Sequence, residues 1–173
     1  DAQLLLVGSK PTDEVKALAG LDVQVTGYVT DEVLLDYYRS VGVAVAPMRF
    51  GAGVKGKVVE ALHHGLPLVT TSVGMQGLEG LDQVIPVSDD AQVIADAIVQ
   101  LMQDDTRWQE VARGGREFAD ARFSRAALRQ VLWPIMQHVA ALTERAQVGQ
   151  PVIGRIAVEM RRRQHDPGGP QTG

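Results

Sequence analysis

Short apolar runs alternate with amphipathic segments along the first two thirds of the chain. The runs Leu4–Val7, Val23–Thr26, Val41–Ala46, Leu66–Thr70 and Val84–Val87 are rich in Val, Leu and Ile and read as five buried strands. Between them the punctuation is helical. Thr12 caps Asp13–Ala19, which Gly20 stops; Thr30 caps Asp31–Ser40 and sets Val33, Leu34, Tyr37 and Tyr38 on one face; Lys57–His64, closed by Gly65, makes a third helix. Parallel neighbours cannot be joined by a hairpin, so strands linked through helices imply a parallel sheet with both faces covered. The expected fold class is α/β, a doubly wound parallel sheet followed by C-terminal helices.

Beyond Val87 the pattern becomes wholly helical. Ser88 with Asp89 and Asp90 opens a helix to about Gln103, Thr106 opens another to about Ala121, and Ser124 opens a third to about Leu142. The acidic pairs Asp89-Asp90 and Asp104-Asp105 resemble metal ligands, but they fall at helix starts or between helices, where they offset the helix dipole. Neither pair is assigned a catalytic role. The organisation expected is one domain over 1–142 and an extension over 143–173. In the extension Val152–Met160 is expected to form a short docked piece and the closing Pro, Gly and Gln residues are expected to be mobile. Arg161-Arg162-Arg163 offers a weak peripheral contact with anionic lipid, although a solvated tail suits three charges better. A strand that begins at residue 4 with no leader suggests a fold incomplete at its front edge.

Composition narrows the chemistry. The 173 residues, 45% of them hydrophobic, suffice for one core. A formal net charge of −4 gives no electrostatic footprint for nucleic acid. With no cysteine there is no disulfide, thiol catalysis or zinc-thiolate site, and a reducing, cytoplasmic setting fits. No apolar run approaches the roughly 20 residues of a membrane helix. Four histidines without an H-x-x-x-H pair make a metal centre a poor fit, and no metal ligand set or cofactor is expected.

In an open parallel sheet, ligands bind beyond the carboxyl ends of the strands, where helix N-termini point free amides. The segments expected there all carry glycine: Gly8-Ser9-Lys10-Pro11, Gly27-Tyr28-Val29, Pro47 to Lys57, and Ser72 to Gly77. In the third, Gly51, Gly53 and Gly56 allow close backbone approach, while Arg49, Lys55 and Lys57 gather three cations at a helix entrance. That combination suits phosphate. It is no Walker loop, and its G-x-G-x-x-G match follows the third strand, so taken alone it is weak and an ordinary solvated basic loop competes with it. Glu60 lies three residues after Lys57 on the same face, with Val58, Val59 and Leu62 opposite. It either pairs locally or, beside a phosphate loop, accepts two vicinal hydroxyls such as those of a ribose.

The run Gly51-Ala-Gly-Val-Lys-Gly-Lys-Val-Val-Glu60-Ala-Leu-His-His-Gly65-Leu-Pro67-Leu-Val-Thr-Thr71 resembles the signature of the C-terminal, donor-binding domain of GT-B glycosyltransferases of the retaining family called glycosyl transferases group 1. Leu4-Leu-Leu-Val-Gly8, Val25-Thr-Gly27-Tyr-Val29 with Asp31–Tyr38, Val43-Ala-Val-Ala-Pro47 and Ser72-Val-Gly-Met-Gln-Gly77 are similar to the flanking blocks of that family, in order. The likeness covers roughly residues 4 to 142. It implies that Glu60 holds the ribose hydroxyls of a nucleotide diphosphate sugar, that Gly53, Val54 and Lys55 face the diphosphate and sugar, and that Gly27, Tyr28 and Val29 line the base. Gly65 and Pro67 are then structural. It further implies transfer to an unidentified acceptor with retention, the acceptor being bound by an N-terminal domain of the same protein, so that this chain alone turns over little.

One departure is plain. The family's E-x7-E motif needs an acid at position 52, where this chain has Ala52. The sugar must then be handled by Arg49, the lysines and backbone amides, or the donor chemistry is altered. The family's basic pair follows a first strand that this chain is expected to lack, so Arg49, Lys55 and Lys57 stand in for it only partly. No D-x-D segment of the metal-dependent kind occurs. Two alternatives accompany this reading. One is a nucleotide-sugar 2-epimerase-like domain, for which His63 and His64 are the only nearby histidines. The other is a non-catalytic nucleotide-binding module, for which Ala52 is the best argument.

Overall fold

The computed structural model describes residues 2–147 of the chain. Strand β1 (Leu4–Val7) pairs in parallel with β2 (Val23–Gly27), Leu4 opposite Val23 and Val7 opposite Gly27, with a register shift after Leu6. Strand β3 (Ala44–Ala46) pairs in parallel with β4 (Leu68–Thr70), Ala44 opposite Leu68 and Ala46 opposite Thr70. The ladders form two parallel pairs, with helices placed between strands along the chain as the alternation requires.

Strands β3 and β4 are both shorter than the apolar runs that contain them, because neighbouring turns claim the flanking amides. Helix α2 (Asp31–Ser40) ends with the Val41 N–H on the Tyr37 carbonyl, so Val41 is a cap and not a strand residue. Likewise the Leu66 N–H bonds back to Ala61, and Pro67 has no N–H to offer, although its carbonyl accepts from Ala44. The expected fifth strand, Val84–Val87, does not form. Its first residue caps a 3₁₀ turn over Leu81–Gln83 and the Ile85 N–H returns to Leu81, so only Val87 bridges, in parallel, to Thr70. A run of Val, Ile and Pro suits either fate, and the tight turn takes the amides first.

Helix α1 is four residues, Asp13–Lys16, shorter than the expected Asp13–Ala19 because Leu18 and Ala19 donate to carbonyls three residues back and tighten the end. Helix α3 (Gly56–His63) follows the glycine-rich loop that leaves β3. Helix α4 (Ala91–Gln103) is capped by Asp90, whose carboxylate accepts from the Gln92 and Val93 amides. Helix α5 (Asp105–Phe123) is capped by Asp104 and not by Thr106 as expected, since Asp104 accepts from the Arg107 amide at 2.9 Å. Helix α6 (Arg125–Gln147) runs past the expected end at Leu142.

The core lies where α3, β4 and α5 meet. Val58, Leu62, Leu68, Val69, Leu78, Leu81, Val111 and Ala119 are each at most 1% exposed, and burying each of the larger aliphatic side chains contributes about 1.5–3 kcal/mol. No residue in 2–45 is buried, so β1 and β2 form a half-exposed limb before the packed body begins at Ala46, 3% exposed. Two compact units divide the chain, residues 1–129 and 130–173. Of the second, the part of α6 from Gln130 to Gln147 is described; Val131, Trp133, Ile135, Val139 and Leu142 are exposed on it and Pro134 lies within it. Val152–Met160, Arg161–Arg163 and the Pro/Gly/Gln end lie outside the described residues.

Candidate functional site

The loop from Pro47 to Lys55 leaves β3 and enters α3, pinned at its start where the Thr71 hydroxyl donates to the Met48 carbonyl at 2.7 Å. Gly51 and Gly53 take φ of +130° and +69°, values that side-chain-bearing residues rarely adopt, and the turn they make folds the chain back under Lys55. Lys55 is 8% exposed, and its Nζ donates to the Gly53 carbonyl at 2.6 Å and to Gln76 Oε1 at 3.5 Å. A cation has thus been buried against neutral oxygens, its charge unpaired by any carboxylate among the described residues.

Lys55 is also the N-cap of α3, and no side chain caps this helix. Val58 and Val59 return their amides to the Lys55 carbonyl, while the Gly56 and Lys57 amides belong to the first turn whose donors have no intrahelical partner. The helix start therefore offers amides and a positive dipole end beside a buried ammonium. On the far side of the loop, a Cβ on Gly77 would stand 2.9 Å from Val54 Cγ2, so the Ser72–Gly77 segment lies directly against Val54.

Glu60 sits one turn further along α3 with its side chain exposed. Its Oε2 accepts from the Tyr38 hydroxyl at 3.3 Å, across from α2, while its expected neighbour Lys57 shares the face without forming an ion pair among the described residues. The Tyr38 ring stacks on His64, centroids 4.8 Å apart and planes 18° from parallel. Burial, then the Glu60 charge and the bond to it, push the Tyr38 hydroxyl up to about 12, so it remains a donor at neutral pH. His63 faces the other way, its Nδ1 at 2.9 Å from Asp120 on α5.

Gly53, Val54 and Lys55 are thus brought together with Gln76 and Gly77, and Glu60 stands one turn on. Arg49 and Lys57 are exposed, and their side chains make no salt bridge among the described residues. Gly27 ends β2 with its carbonyl accepting from the Gly8 amide, Tyr28 is 77% exposed and Val29 is half-buried. Tyr38 and Gln76 are the members of the site that sequence reading did not assign. The tyrosine belonged to the apolar face of α2, and the signal was a hydroxyl on that face needing a partner. Gln76 lies within the Ser72 to Gly77 loop, but nothing local pairs it with a lysine 21 residues earlier.

Comparison with known proteins agrees with this architecture. The pattern of the family described as glycosyl transferases group 1 matches residues 1–104, more than half of the chain. No curated protein sequence matches. Among solved structures the chain is similar to sucrose-phosphate synthase from Thermosynechococcus elongatus, with 26% identity and a TM-score of 0.66 over 81% of this chain and 39% of that one. The chain therefore spans well under half of that protein's length. With its parallel strands and intervening helices, the chain belongs to the glycosyl transferases group 1 family and has the mixed α/β architecture of a GT-B glycosyltransferase domain.

Proposed function

We propose that the chain is the donor-binding half of a glycosyltransferase, of hexosyltransferase type, that takes a nucleotide diphosphate sugar as substrate and transfers its sugar with retention to an acceptor held by an N-terminal domain of the same protein. The observation that carries this reading is the buried ammonium of Lys55 at the uncapped start of α3, one turn ahead of Glu60. Diphosphate oxygens would accept from the Gly56 and Lys57 amides and from Lys55, with the exposed Arg49 and Lys57 adding charge. The Glu60 carboxylate would accept from the ribose hydroxyls, and Gly27, Tyr28 and Val29 would border the base.

Breaking the anomeric C–O bond leaves negative charge on the departing nucleoside diphosphate. Donors already oriented towards that charge stabilise it without solvent reorganisation. On this reading the protein's own cations fill the role that a divalent metal fills in D-x-D enzymes, and no resident cofactor is needed. A cytoplasmic setting accompanies it, supported by a chain without cysteine.

A non-catalytic nucleotide-binding module is the second reading, favoured by one observation: position 52, where the family places an acid against the sugar, is an exposed Ala52. The epimerase-like alternative is less well supported, because His63 is turned to Asp120 and His64 is stacked on Tyr38. Calorimetry with UDP, GDP and ADP tests donor recognition. Glu60→Ala is expected to weaken whichever binds by about 1.5–3 kcal/mol, the range for hydrogen bonds to a charged group. Unchanged affinity would return Glu60 to a purely local role. Mass spectrometry of products from the full-length protein separates transfer from epimerisation and from binding alone.

A further inference from the structure

Glu60 is an exposed glutamate with three side-chain torsions, a poor receptor for a diol unless something fixes its carboxylate plane. The structure supplies such a restraint from outside α3. Glu60 and His64 are four residues apart on one face of the helix, and Tyr38 of α2 spans the pair, its ring on the imidazole and its hydroxyl on Oε2. The stacking limits the ring's tilt, and the 3.3 Å bond ties one carboxylate oxygen. An ionised carboxylate has about four acceptor directions, so one bond from Tyr38 leaves capacity for two hydroxyls.

We propose that Tyr38 is a positioning residue for nucleotide recognition, aiming the Glu60 carboxylate so that it distinguishes a ribose from a 2′-deoxyribose. This rests on the reading of Glu60 as the ribose acceptor. The hydroxyl is suited to the task because it stays protonated and can only donate to the carboxylate throughout the neutral range.

Tyr38 also ties α2 to the packed body, and a merely structural tie would weaken all nucleotides alike. The test therefore reads a ratio. UDP, GDP and ADP and their 2′-deoxy counterparts are titrated into the wild-type chain, Tyr38→Phe, His64→Ala and Glu60→Gln. Wild type is expected to prefer the ribonucleotide. In Tyr38→Phe, which keeps the ring and its stacking, affinity for the ribonucleotide should fall about fivefold, the effect of one net hydrogen bond, while the 2′-deoxy form changes little, bringing the ratio towards one. His64→Ala, which releases the ring without touching Glu60, should move the ratio the same way and serves if the phenylalanine variant fails to fold. A wild-type preference that survives in both variants overturns the positioning role and leaves the Glu60 reading intact, as does an equal loss for both sugars. No preference in wild type, or no binding of any of the three nucleotides, overturns the Glu60 reading and the proposal with it.

Discussion

Lys55 Nζ lies 2.6 Å from the carbonyl oxygen of Gly53, two residues back in the same loop, in a position only 8% exposed. The bond closes the loop on itself and leaves the ammonium facing neutral acceptors, so an arriving dianion would meet a cation whose desolvation has already occurred. Lys55→Met keeps most of the buried stem and removes the charge. Affinity for UDP, GDP or ADP, whichever binds, should drop by about 1.5–3 kcal/mol, while the corresponding nucleoside is unaffected. Calorimetry on the four ligand and variant combinations checks this, and an equal loss for nucleoside and diphosphate would make Lys55 a loop strut only.

The floor of the same loop depends on an absent side chain. A Cβ on Gly74 would fall 1.9 Å from Thr70 Oγ1 and 3.3 Å from the Ala46 carbonyl, the two atoms that share a 2.8 Å hydrogen bond at the end of β4. Thr70 is fully buried and cannot swing aside without abandoning that bond. Gly74→Ala should therefore destabilise the chain by about 2–3 kcal/mol, the upper range for overpacking. A lowered urea midpoint at unchanged slope would show it. A variant as stable as wild type would mean that the segment before Gln76 moves freely against β4.

How far the chain reveals itself in advance depends on the range of the interaction. Strands β1 to β4 and their parallel sense were legible because aliphatic runs between helices admit few other arrangements, though which strands pair was not. The caps Thr12 and Thr30 were legible because capping spans three residues, while for α4 the cap was legible only as one of Ser88, Asp89 and Asp90. Asp104 was not singled out as a cap because Thr106 offers the same chemistry two residues later. The 3₁₀ turn at Leu81 was hidden by side chains equally suited to a strand. At the site, Lys55 was legible as a cation at the entrance of α3 but gave no sign of burial, which depends on Gly53 and Gln76 folding over it. Glu60 was read as an acceptor for ribose hydroxyls, whereas the hydroxyl it accepts from here belongs to Tyr38 on another helix, whose place on the apolar face of α2 hid that role although its hydroxyl needed a partner.

Asp89 anchors the segment that carries Gln76. Its Oδ1 accepts from the Ser72 amide at 2.9 Å, and the bonds from Ser72 hold the carboxyl below its ordinary value of 3.8. A depressed folded-state value means that the anchoring contributes above pH 3.8 and is lost as pH falls through the lower value. Asp89→Asn removes the charge at every pH. Its stability deficit relative to wild type, measured by urea titration, should be present at neutral pH and shrink as the solution is acidified. A deficit that is independent of pH would assign the effect to packing and not to the carboxylate.

Tyr38 titrates in the opposite sense. Its hydroxyl is pushed up to about 12 from an ordinary 10.0 by burial and by Glu60, so the folded chain holds this proton more tightly than the unfolded one. The stabilisation belonging to the protonated hydroxyl is complete below about pH 10 and is lost as pH climbs towards 12, because over that interval the unfolded chain has already released the proton. The site is partly exposed, so solvent screening keeps the effect small. Wild type should lose stability relative to Tyr38→Phe across that interval and not below it. Phenolate absorbance gives an independent reading, since of the three tyrosines in the chain the substitution should remove the phase near pH 12. Glu60→Gln, which leaves an acceptor but no charge, should bring that phase to lower pH. If the late phase persists in Tyr38→Phe, or stays in place in Glu60→Gln, the hydroxyl is not held against the carboxylate in solution.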